Sequence, residues 1–473
     1  MTGARRTTLA SVACALACAV GLAAMIQLWG AGTLDGRLLV IVGLFGSLDL
    51  ADVAVRLYFR GVHTNPPGSE RTSPTSVPLD VGAFTPVQIR QHLKPYAIVV
   101  SMHNAEAELD DFIDSVRPYR DRLFVIDDAS TDETFIQLQQ AGICCQRGAV
   151  NRKKPGALKE LVASLDRQIV TIVVLDPDSR ILDSGSSHIT DLERTVFEFQ
   201  RSGIAAMCPC LTVRGDGLLG RFQQLEYWLA FTLGRYSLSD HCVTSGLAIY
   251  RRDALTHVLG KSLSVYAEDL KNAFILLAQG ERIYYDGRLV METAGKKTWP
   301  EWFSQRVGWH FGLLKVYAES WPGPVQWSKA RVFFLYHFVF YVGICGILLQ
   351  PLRLLAFCIV TLSLAGGLDQ ILGLGLVPRE PVTGPAYFLV AYLQGTTQVA
   401  LALAATFEPG KRRLLARVLP VIPMYFFYSL AHVIPVTVGY LNWYSLRLFG
   451  RRLYRDHFDD DATLLAQVYG AKP

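Results

Sequence analysis

The segment Ile172-Val173-Val174-Leu175-Asp176-Pro177-Asp178 places two carboxylates directly after a short apolar run. An apolar run of this length that is rich in β-branched residues predicts a buried strand. In parallel α/β sheets, ligands bind at the carboxyl ends of the strands. Two carboxylates one residue apart can share a divalent ion, and their hard oxygen atoms suit Mg²⁺ or Mn²⁺. Asp-x-Asp is also common in solvated turns, so its meaning depends on the surrounding chain.

The surrounding chain, from about 95 to 298, alternates short β-rich runs with polar helical stretches. The predicted strands are Ala97–Ser101, Leu123–Ile126, Val170–Leu175, Ala205–Cys208 and Leu247–Tyr250. A helix is predicted to begin near Glu106, between the first two strands. This rhythm predicts parallel pairing with right-handed crossovers. We therefore predict an α/β domain with a mostly parallel sheet and helices on both faces.

Two further loops place charged side chains at a predicted strand end or helix start. Asp127-Asp128 follows the second strand, where the carboxylates could bind a ribose or the edge of a base. Ser130 with Glu133 could instead cap the next helix, although capping does not require the two acids. Lys154 stands just before a predicted helix, and a lysine beside a helix N-terminus suits a diphosphate. Ordinary surface charge is the alternative interpretation of Lys154.

The pair Glu268-Asp269 precedes another predicted helix, where carboxylates can simply stabilise the helix N-terminus. The alternative is a general base, since a carboxylate that takes a proton from a hydroxyl nucleophile accelerates reactions roughly 10²–10⁴-fold. Gln305, Arg306 and Trp309 follow in an aromatic-rich stretch. An aromatic face can hold a sugar ring, and Gln and Arg can bind hydroxyls or phosphate. Trp309 alone would also suit an anchor at a membrane interface.

Hydrophobic residues make up 51% of the 473-residue chain, and charged residues 18% against a usual share of about a quarter. The excess is concentrated in six apolar runs, each near the ~20 residues that span a bilayer as a helix. These runs are 8–29, 36–58, 330–350, 352–376, 386–407 and 416–441. We therefore predict two transmembrane helices within 1–60 and about four within 329–445, flanking a domain at 91–298.

The remaining segments are predicted to connect these parts. Residues 61–90 include a stretch rich in Pro, Ser, Thr and Gly, which predicts a linker. Residues 299–328 are amphipathic and rich in Trp and Tyr, which predicts interfacial helices. An even number of spans on each side leaves both termini, including the tail 446–473, in the cytosol. The basic loop 408–417 disagrees with this count, which places it outside.

The second apolar run contains two acids, Asp49 and Asp52. A bare carboxylate near the middle of a bilayer costs roughly 2.5–3.5 kcal/mol on insertion scales. Both side chains are therefore expected to face protein, water or the interface rather than lipid.

Charge and cysteine content exclude some classes of protein. The net charge is +5, and the basic clusters adjoin apolar runs, which is typical of membrane-flanking segments. No stripe of basic and aromatic residues supports nucleic-acid binding. Four of the nine cysteines lie in apolar runs, and the pairs Cys144–Cys145 and Cys208–Cys210 have no partner pair at zinc-like spacing. Their odd number without a framework indicates a reducing cytosol for the soluble part.

Taken in order, the motifs resemble those of the family 2 membrane-integrated processive glycosyltransferases, such as cellulose, hyaluronan and chitin synthases. Within about 95–320 the shared motifs are Ser-x-His-Asn, Asp-Asp-x-Ser-Thr-Asp, Lys-x-x-Ala-Leu, Asp-x-Asp, Ser-Gly-x-x-x-Tyr-Arg-Arg and Glu-Asp. The resemblance implies a cytosolic nucleotide-sugar domain of the GT-A type, held by helices in the plasma membrane. It implies inverting transfer from a nucleotide-sugar, with UDP as the carrier, to a growing polysaccharide that is exported.

The resemblance also implies a role for individual residues. Asp269 would be the catalytic base with Glu268 beside it, and Asp178, with Asp176, would bind Mn²⁺ or Mg²⁺. The implied nucleotide-sugar site consists of Asp127, Asp128, Lys154, Asp176 and Asp178. The implied acceptor site consists of Cys242, Ser245, Gly246, Gln305, Arg306 and Trp309.

The sequence departs from the family pattern at two positions. Gly308 replaces the arginine of the family's Gln-x-x-Arg-Trp motif, and Ala267 replaces the threonine of Thr-Glu-Asp. The first change weakens the case for processive synthesis more than the case for sugar transfer. Single-sugar transfer to a membrane lipid is therefore an alternative, and a non-catalytic scaffold or transporter is a second one. The sugar, the linkage and any accessory subunits are not indicated by the sequence.

Overall fold

The computed structural model describes residues 3–64, 84–182, 189–238, 240–261, 263–320, 334–378, 381–407 and 412–469. Parts of the predicted linker, interfacial region and basic loop, namely 65–83, 321–328 and 408–411, lie outside the described residues. The chain divides into two compact units. One comprises residues 1–71 and 332–440, and the other comprises residues 72–331 and 441–473.

The α-helices of the described residues are α1 (Gly3–Gly30), α2 (Leu34–Thr64), α3 (Pro86–His92), α4 (Leu109–Val116), α5 (Thr134–Gln140), α6 (Lys153–Ser164), α7 (Asp191–Ser202), α8 (Gly217–Trp228), α9 (Arg252–Lys261), α10 (Glu268–Ala278), α11 (Trp299–Ser320), α12 (Gln350–Leu372), α13 (Ala386–Thr406), α14 (Arg412–Val418), α15 (Ile422–Ala431), α16 (Val433–Phe449) and α17 (Asp459–Tyr469). Two π-helices cover Leu229–Arg235 and Tyr336–Leu348. Short 3₁₀ helices cover Glu106–Glu108, Arg117–Arg122, Pro381–Thr383 and Leu419–Val421.

The strands are β1 (Tyr96–Met102), β2 (Leu123–Asp127), β3 (Cys145–Arg147), β4 (Thr171–Leu175), β5 (Arg180–Leu182), β6 (Ala206–Arg214), β7 (Ala248–Arg251) and β8 (Ile283–Ala294). They form one sheet in the order β3-β2-β1-β4-β7-β6-β8-β5. The four strands β3, β2, β1 and β4 pair in parallel. Strand β7 runs antiparallel to both β4 and β6, while β8 pairs in parallel with β6.

The five strands predicted from sequence are all present, and four of them lie within one residue of their predicted bounds. The fifth, predicted at Ala205–Cys208, continues as β6 to Arg214, six residues beyond its predicted end. The helix predicted near Glu106 begins as a 3₁₀ turn and continues as α4. The sheet is mixed rather than uniformly parallel, because β7 reverses direction between β4 and β6. Strands β3, β5 and β8 were not predicted, and the longest of them, β8, carries a residue of the candidate site described below.

Register explains why the predicted site residues lie at one edge of the sheet. Strands β1, β2 and β4 are parallel, with Met102 opposite Asp127 and Val100 opposite Leu175. Their carboxyl ends therefore lie side by side. Because β7 is antiparallel to β4, the chain that enters β7 arrives at the same edge. Every residue of β4 is buried, as expected for a central strand covered on both faces.

The other unit is rich in apolar helices. Among the described residues, four segments are long and apolar enough to cross a membrane, namely Leu34–Gly61, Gln350–Leu372, Ala386–Thr406 and Arg412–Phe449. The predicted spans at 8–29 and 330–350 contain shorter apolar helices, Ala19–Gly30 and Tyr336–Leu348. The count of six spans therefore stays a prediction.

The two acids of α2 both face protein groups, as expected. The carboxylate of Asp49 accepts hydrogen bonds from the hydroxyl of Tyr341 (2.9 Å) and the guanidinium of Arg353 (3.0 Å). Asp52, which is 4% exposed, pairs with Arg56 one turn further along the helix at 2.5 Å. These ion pairs replace the hydration that the acids would lose in an apolar environment.

A buried ion pair on β8 allows the stability of the sheet to be tested. Arg288 contacts the carboxylates of Asp286, which is fully buried, and Glu198 of α7, which is 2% exposed. Replacing Arg288 with alanine would leave two buried acids without their cation, a loss of about 3 kcal/mol. We expect the thermal unfolding midpoint of the full-length protein in detergent to fall by several degrees. Arg117→Ala, which breaks an exposed pair with Asp114, is the control and should leave the midpoint unchanged.

Candidate active site

The two aspartates that follow β4 lie partly exposed at the edge of the sheet. The carboxylate of Asp178 accepts hydrogen bonds from the hydroxyl of Ser179 (3.2 Å) and from the hydroxyl of Thr293 on β8 (3.3 Å). Burial and the neighbouring charge of Asp176 raise the pKa of Asp178 above its usual range. The hydrogen bonds to Asp178 therefore do not fully compensate the negative charge that Asp176 and Asp178 bring together.

Lys154, in the first turn of α6, joins the end of β4 to the start of α10. Its ammonium lies 2.5 Å from Asp176 Oδ1 and 3.7 Å from Glu268 Oε1, and it donates to the carbonyl of Gly246 at 3.2 Å. Burial acts to lower the pKa of Lys154, but the charges of Asp176 and Glu268 outweigh it and raise the pKa above its usual value. The lysine is therefore held charged at the centre of an acidic cluster.

Glu268 and Asp269 form the first turn of α10. Asp269 Oδ1 accepts the backbone N–H of Leu270 at 2.8 Å, and the Asp269 carbonyl accepts the hydroxyl of Thr244 at 3.0 Å. Burial raises the pKa of Glu268 to about 7, and the nearby acids Asp269 and Asp176 add to the rise, against the opposing effect of Lys154. Glu268 thus changes charge near neutral pH, where groups that exchange protons with a substrate are most effective.

Asp128 supports the loop before α6. Both of its carboxylate oxygens accept the backbone N–H of Arg152, at 2.8 and 2.9 Å, and the residue is 1% exposed. Burial raises its pKa above the usual value. Asp127 is fully buried and accepts the backbone N–H of Ser130 at 3.3 Å. These contacts fix the loop that carries Lys154, and the predicted nucleoside contacts of both acids stay predictions.

The capping alternative for this loop is not what the structure shows. Helix α5 begins at Thr134, and its N-cap residue Glu133 makes no side-chain capping bond. The hydroxyl of Ser130 instead accepts the backbone N–H of Asn104, in the loop after β1. Ser130 therefore joins the first and second strand-end loops rather than starting a helix.

Backbone strain is concentrated in these loops. In the described part of the chain, the non-glycine residues with positive φ are Asn104 (51°), Ala129 (60°), Lys153 (56°) and Ala267 (46°). Ala129, Lys153 and Ala267 each adjoin a candidate site residue, and Asn104 lies in the loop after β1. A side chain at positive φ is disfavoured, and such residues persist only where surrounding contacts hold them, often at functional sites.

The predicted acceptor residues fall into two places. Gly246 lies against the lysine, since an added Cβ would be 3.1 Å from Asp176 Oδ2 and 3.2 Å from Lys154 Nζ. Ser245 lines the same pocket and is 6% exposed, with its hydroxyl donating to the Leu247 carbonyl at 2.5 Å. Cys242 is fully buried, with its thiol directed at the Val243 carbonyl.

The remaining three predicted acceptor residues lie on α11. Arg306 is 1% exposed, pairs with Glu226 of α8 at 2.7 Å, and donates to Gln305 Oε1 at 2.8 Å. Its guanidinium carbon lies 3.8 Å from the ring centroid of Trp309. Arg306 thus contacts side chains of α8 and α11, whereas Gly246 lies against Lys154 and Asp176.

One contact of the site was missed by sequence reasoning. Thr293 holds Asp178 from β8, a strand that was not predicted although its residues are β-rich. The pocket beside Lys154 is also lined by Lys271, which no motif singled out, and by Tyr250 of the Ser-Gly-x-x-x-Tyr-Arg-Arg motif. A signal for β8 existed in the run Ile283-Tyr284-Tyr285, but nothing in the sequence connected it to Asp178.

Asp176 and Asp178 have the ligand chemistry that suits a divalent cation. Among the described residues, no group of three or more His, Cys, Asp and Glu side chains is arranged to hold a metal ion. Asp176 and Asp178 supply two hard carboxylates with excess negative charge, and Mg²⁺-type ions are commonly held by one or two carboxylates together with substrate phosphates. The donor set thus fits an ion that is completed by a phosphorylated ligand.

Comparison with solved structures relates the fold to other proteins. The mannosyltransferase PcManGT from Pyrobaculum calidifontis, solved with GDP-mannose and Mn²⁺, aligns over 85% of this chain and 99% of its own, with 14% identity and a TM-score of 0.50. Glucosyl-3-phosphoglycerate synthase from Mycobacterium tuberculosis, solved with Mn²⁺, UDP and phosphoglyceric acid, aligns over 50% of this chain and 86% of its own, with 19% identity and a TM-score of 0.37. No curated protein matches the chain.

The family comparison covers the part of the sheet that carries the acids and Lys154. Residues 97–259 match the model described as glycosyl transferase family 2. The matched segment ends shortly before Glu268 and Asp269, which the fold brings to Lys154. Residues 97–259 are therefore similar to family 2 glycosyltransferases, the fold is of the GT-A type, and the protein is a glycosyltransferase.

Proposed function

We propose that this protein transfers a sugar from a UDP-sugar to the hydroxyl of a growing polysaccharide, with inversion at the anomeric carbon. The observation that carries the proposal is the contact of Lys154 with Asp176 on one side and Glu268 on the other. Lys154 lies between the acids at the end of β4 and the acids at the start of α10. A diphosphate bound by this lysine would therefore lie beside a carboxylate that can accept a proton. Sugar transfer from a nucleotide-sugar requires both.

On the donor side, Lys154 and the N-terminus of α6 bind the diphosphate. Asp128 positions that helix start through its bonds to Arg152, and with Asp127 it is proposed to contact the nucleoside. Asp176 and Asp178 would hold Mn²⁺ or Mg²⁺, which when bound supplies positive charge to the departing diphosphate.

On the acceptor side, Asp269 takes the proton of the attacking hydroxyl. The oxygen of that hydroxyl forms a bond to the anomeric carbon while the bond from that carbon to the diphosphate oxygen breaks, and the electron pair leaves with UDP. A single displacement inverts the configuration, so an α-linked donor gives a β-linkage. Glu268 keeps Lys154 oriented and adjusts the local charge through its pKa of about 7.

The apolar unit supports a location in the membrane. The four long apolar segments of the described residues would anchor the enzyme in the plasma membrane, with the catalytic domain in the cytosol where nucleotide-sugars are made. The same helices would give a growing polymer its route out of the cell. Acceptor contacts would come from Gly246 and Ser245 in the pocket and from Gln305 and Trp309 on α11.

A second acceptor, a membrane lipid that receives a single sugar, is favoured by one observation. Gly308 is covered by Phe458, because a Cβ added at Gly308 would lie 2.4 Å from Phe458 Cδ2. The arginine that processive family members are expected to carry at this position therefore has no room here. The chemistry at Asp269 would be the same for either acceptor.

The first experiment decides between these acceptors. The purified full-length protein in nanodiscs receives Mn²⁺ or Mg²⁺ and a panel of UDP-sugars, singly and in pairs, while UDP release and product size are followed. High-molecular-weight product would establish a polymerising synthase. UDP release with only lipid-bound product would establish the second acceptor. No turnover and no UDP binding would overturn the proposed function.

Replacing the proposed base tests the mechanism directly. In Asp269→Asn the amide cannot accept the hydroxyl proton, so we expect kcat to fall about 10²–10⁴-fold while the affinity for UDP is retained. The matched control is Asp253→Asn, which alters an exposed acid paired with Arg251 and should leave kcat unchanged. Equal activity of the Asp269→Asn variant and the wild type would exclude Asp269 as the base.

The pKa of Glu268 predicts a pH dependence of donor binding. Below about pH 7 Glu268 is protonated, and above it the carboxylate adds negative charge beside the site for the anionic diphosphate. We therefore expect UDP affinity, measured by calorimetry at fixed Mn²⁺, to decrease as pH rises through 7. Glu268→Gln should remove this step, and a step that persists in the variant would assign the titration to another group.

A further inference from the structure

Residues 452–461, here called the C-terminal segment, contact the turn that precedes the proposed base. Tyr266, two residues before Glu268, is fully buried, and its hydroxyl donates to Asp456 Oδ1 at 2.9 Å. The guanidinium of Arg452 donates to the same hydroxyl and pairs with Asp459 at 2.9 Å. The hydroxyl of Tyr266 is therefore held from two sides by the C-terminal segment.

Aromatic packing adds to these polar contacts. The ring of Tyr266 lies 4.7 Å from that of Phe311 on α11 and 5.6 Å from that of Phe458, measured between centroids. Phe458 in turn lies on Gly308, where no other residue type would fit without movement. Phe458 of the C-terminal segment thus packs into space that is available because residue 308 on α11 has no side chain.

The held tyrosine adjoins a strained residue. Ala267 has φ of 46°, which places it in the left-handed region immediately before Glu268 and Asp269. Helix α11 approaches it closely, since a Cβ added at Gly312 would lie 3.0 Å from the Ala267 Cβ. Strain of this kind persists only where neighbouring contacts hold it. Tyr266, fixed by Asp456, is such a contact.

The same segment reaches the donor side of the site. Lys153, immediately before Lys154, also has a positive φ of 56°. Its ammonium pairs with Asp461 Oδ1 at 2.9 Å, with the lysine side chain 19% exposed. Its backbone N–H makes a local contact, donating to Asn151 Oδ1 at 3.0 Å. The ion pair with Asp461 is therefore a long-range contact that holds Lys153, a second residue with strained backbone in the site.

We infer that the C-terminal segment positions both halves of the active site. Asp461 acts through Lys153 on the donor-binding Lys154, and Asp456 acts through Tyr266 on the turn that sets Asp269. These are positioning residues, since neither is proposed to touch substrate. The inference rests on the proposed function for its kinetic consequences, but its structural part is independent of that function.

Hydrogen–deuterium exchange of the full-length protein in nanodiscs tests the structural part. We expect Asp461→Asn to speed amide exchange in residues 152–156 and Tyr266→Phe to speed it in residues 266–270, each without changing the other segment. The control is Asp460→Asn, which alters a neighbouring acid that is 87% exposed and should change neither. Unchanged exchange in both variants, or equal loss of protection throughout the domain, would overturn the inference.

Steady-state kinetics test the consequence for each half of the site. Misplacement of a reacting group by about 1 Å can cost ~10²-fold, so effects of about tenfold are expected from partial loosening. Asp461→Asn should raise the donor KM about tenfold with kcat kept, and Asp461→Glu should restore it. Tyr266→Phe should lower kcat about tenfold with the donor KM kept. A merely structural role would instead change both constants together with the unfolding temperature.

The two readouts separate failure of the inference from failure of the proposed function. If the wild type neither binds UDP nor turns over any donor, the proposed function fails, yet the exchange pattern still decides whether the C-terminal segment holds the two loops. If the wild type is active but the variants show no split between KM and kcat, the proposed function stands and the inference is wrong.

Discussion

The ammonium of Lys154 is the point at which the separate parts of the site are joined. It reaches Asp176 at the end of β4, Glu268 at the start of α10 and the Gly246 carbonyl before β7. These three groups are distant in sequence, and the lysine is the charge that allows the acids to approach one another. Because the pKa of Lys154 is raised, that charge persists throughout the physiological range.

One ammonium does not balance this cluster, and the imbalance has a chemical consequence. The pKa values of Asp178 and Glu268 are both raised, by burial first and then by neighbouring acids. A diphosphate would add further negative charge to the same place. Binding it therefore requires either protons or a cation, and two carboxylates at a strand end are suited to a divalent ion that also binds the phosphates. The electrostatics alone thus favour a donor that arrives together with a metal.

Sequence reasoning found the strands and the acids of this site because their signals are local. The apolar run before Asp176 and the helix start at Glu268 each occupy a few consecutive residues. It missed β8 and hence Thr293, because the partner of Asp178 depends on sheet order, which places β8 beside β6 by a long-range pairing. The reversal of β7 was likewise invisible, since direction is fixed by pairing rather than by composition.

The glycine at 308 shows why a departure from a family pattern needs the whole chain to interpret. In the sequence alone, Gly308 is noticed only because the family motif has an arginine at this position. In the structure it is the surface on which Phe458 lies, with Asp456 Oδ1 only 3.2 Å from where a Cβ would be. A side chain at 308 would overlap Phe458 and approach Asp456, so the glycine and the present position of the C-terminal segment depend on each other. Phe458 and Asp456 also contact Tyr266, two residues before Glu268, so position 308 is linked to the turn before Asp269 through packing rather than through a charged side chain.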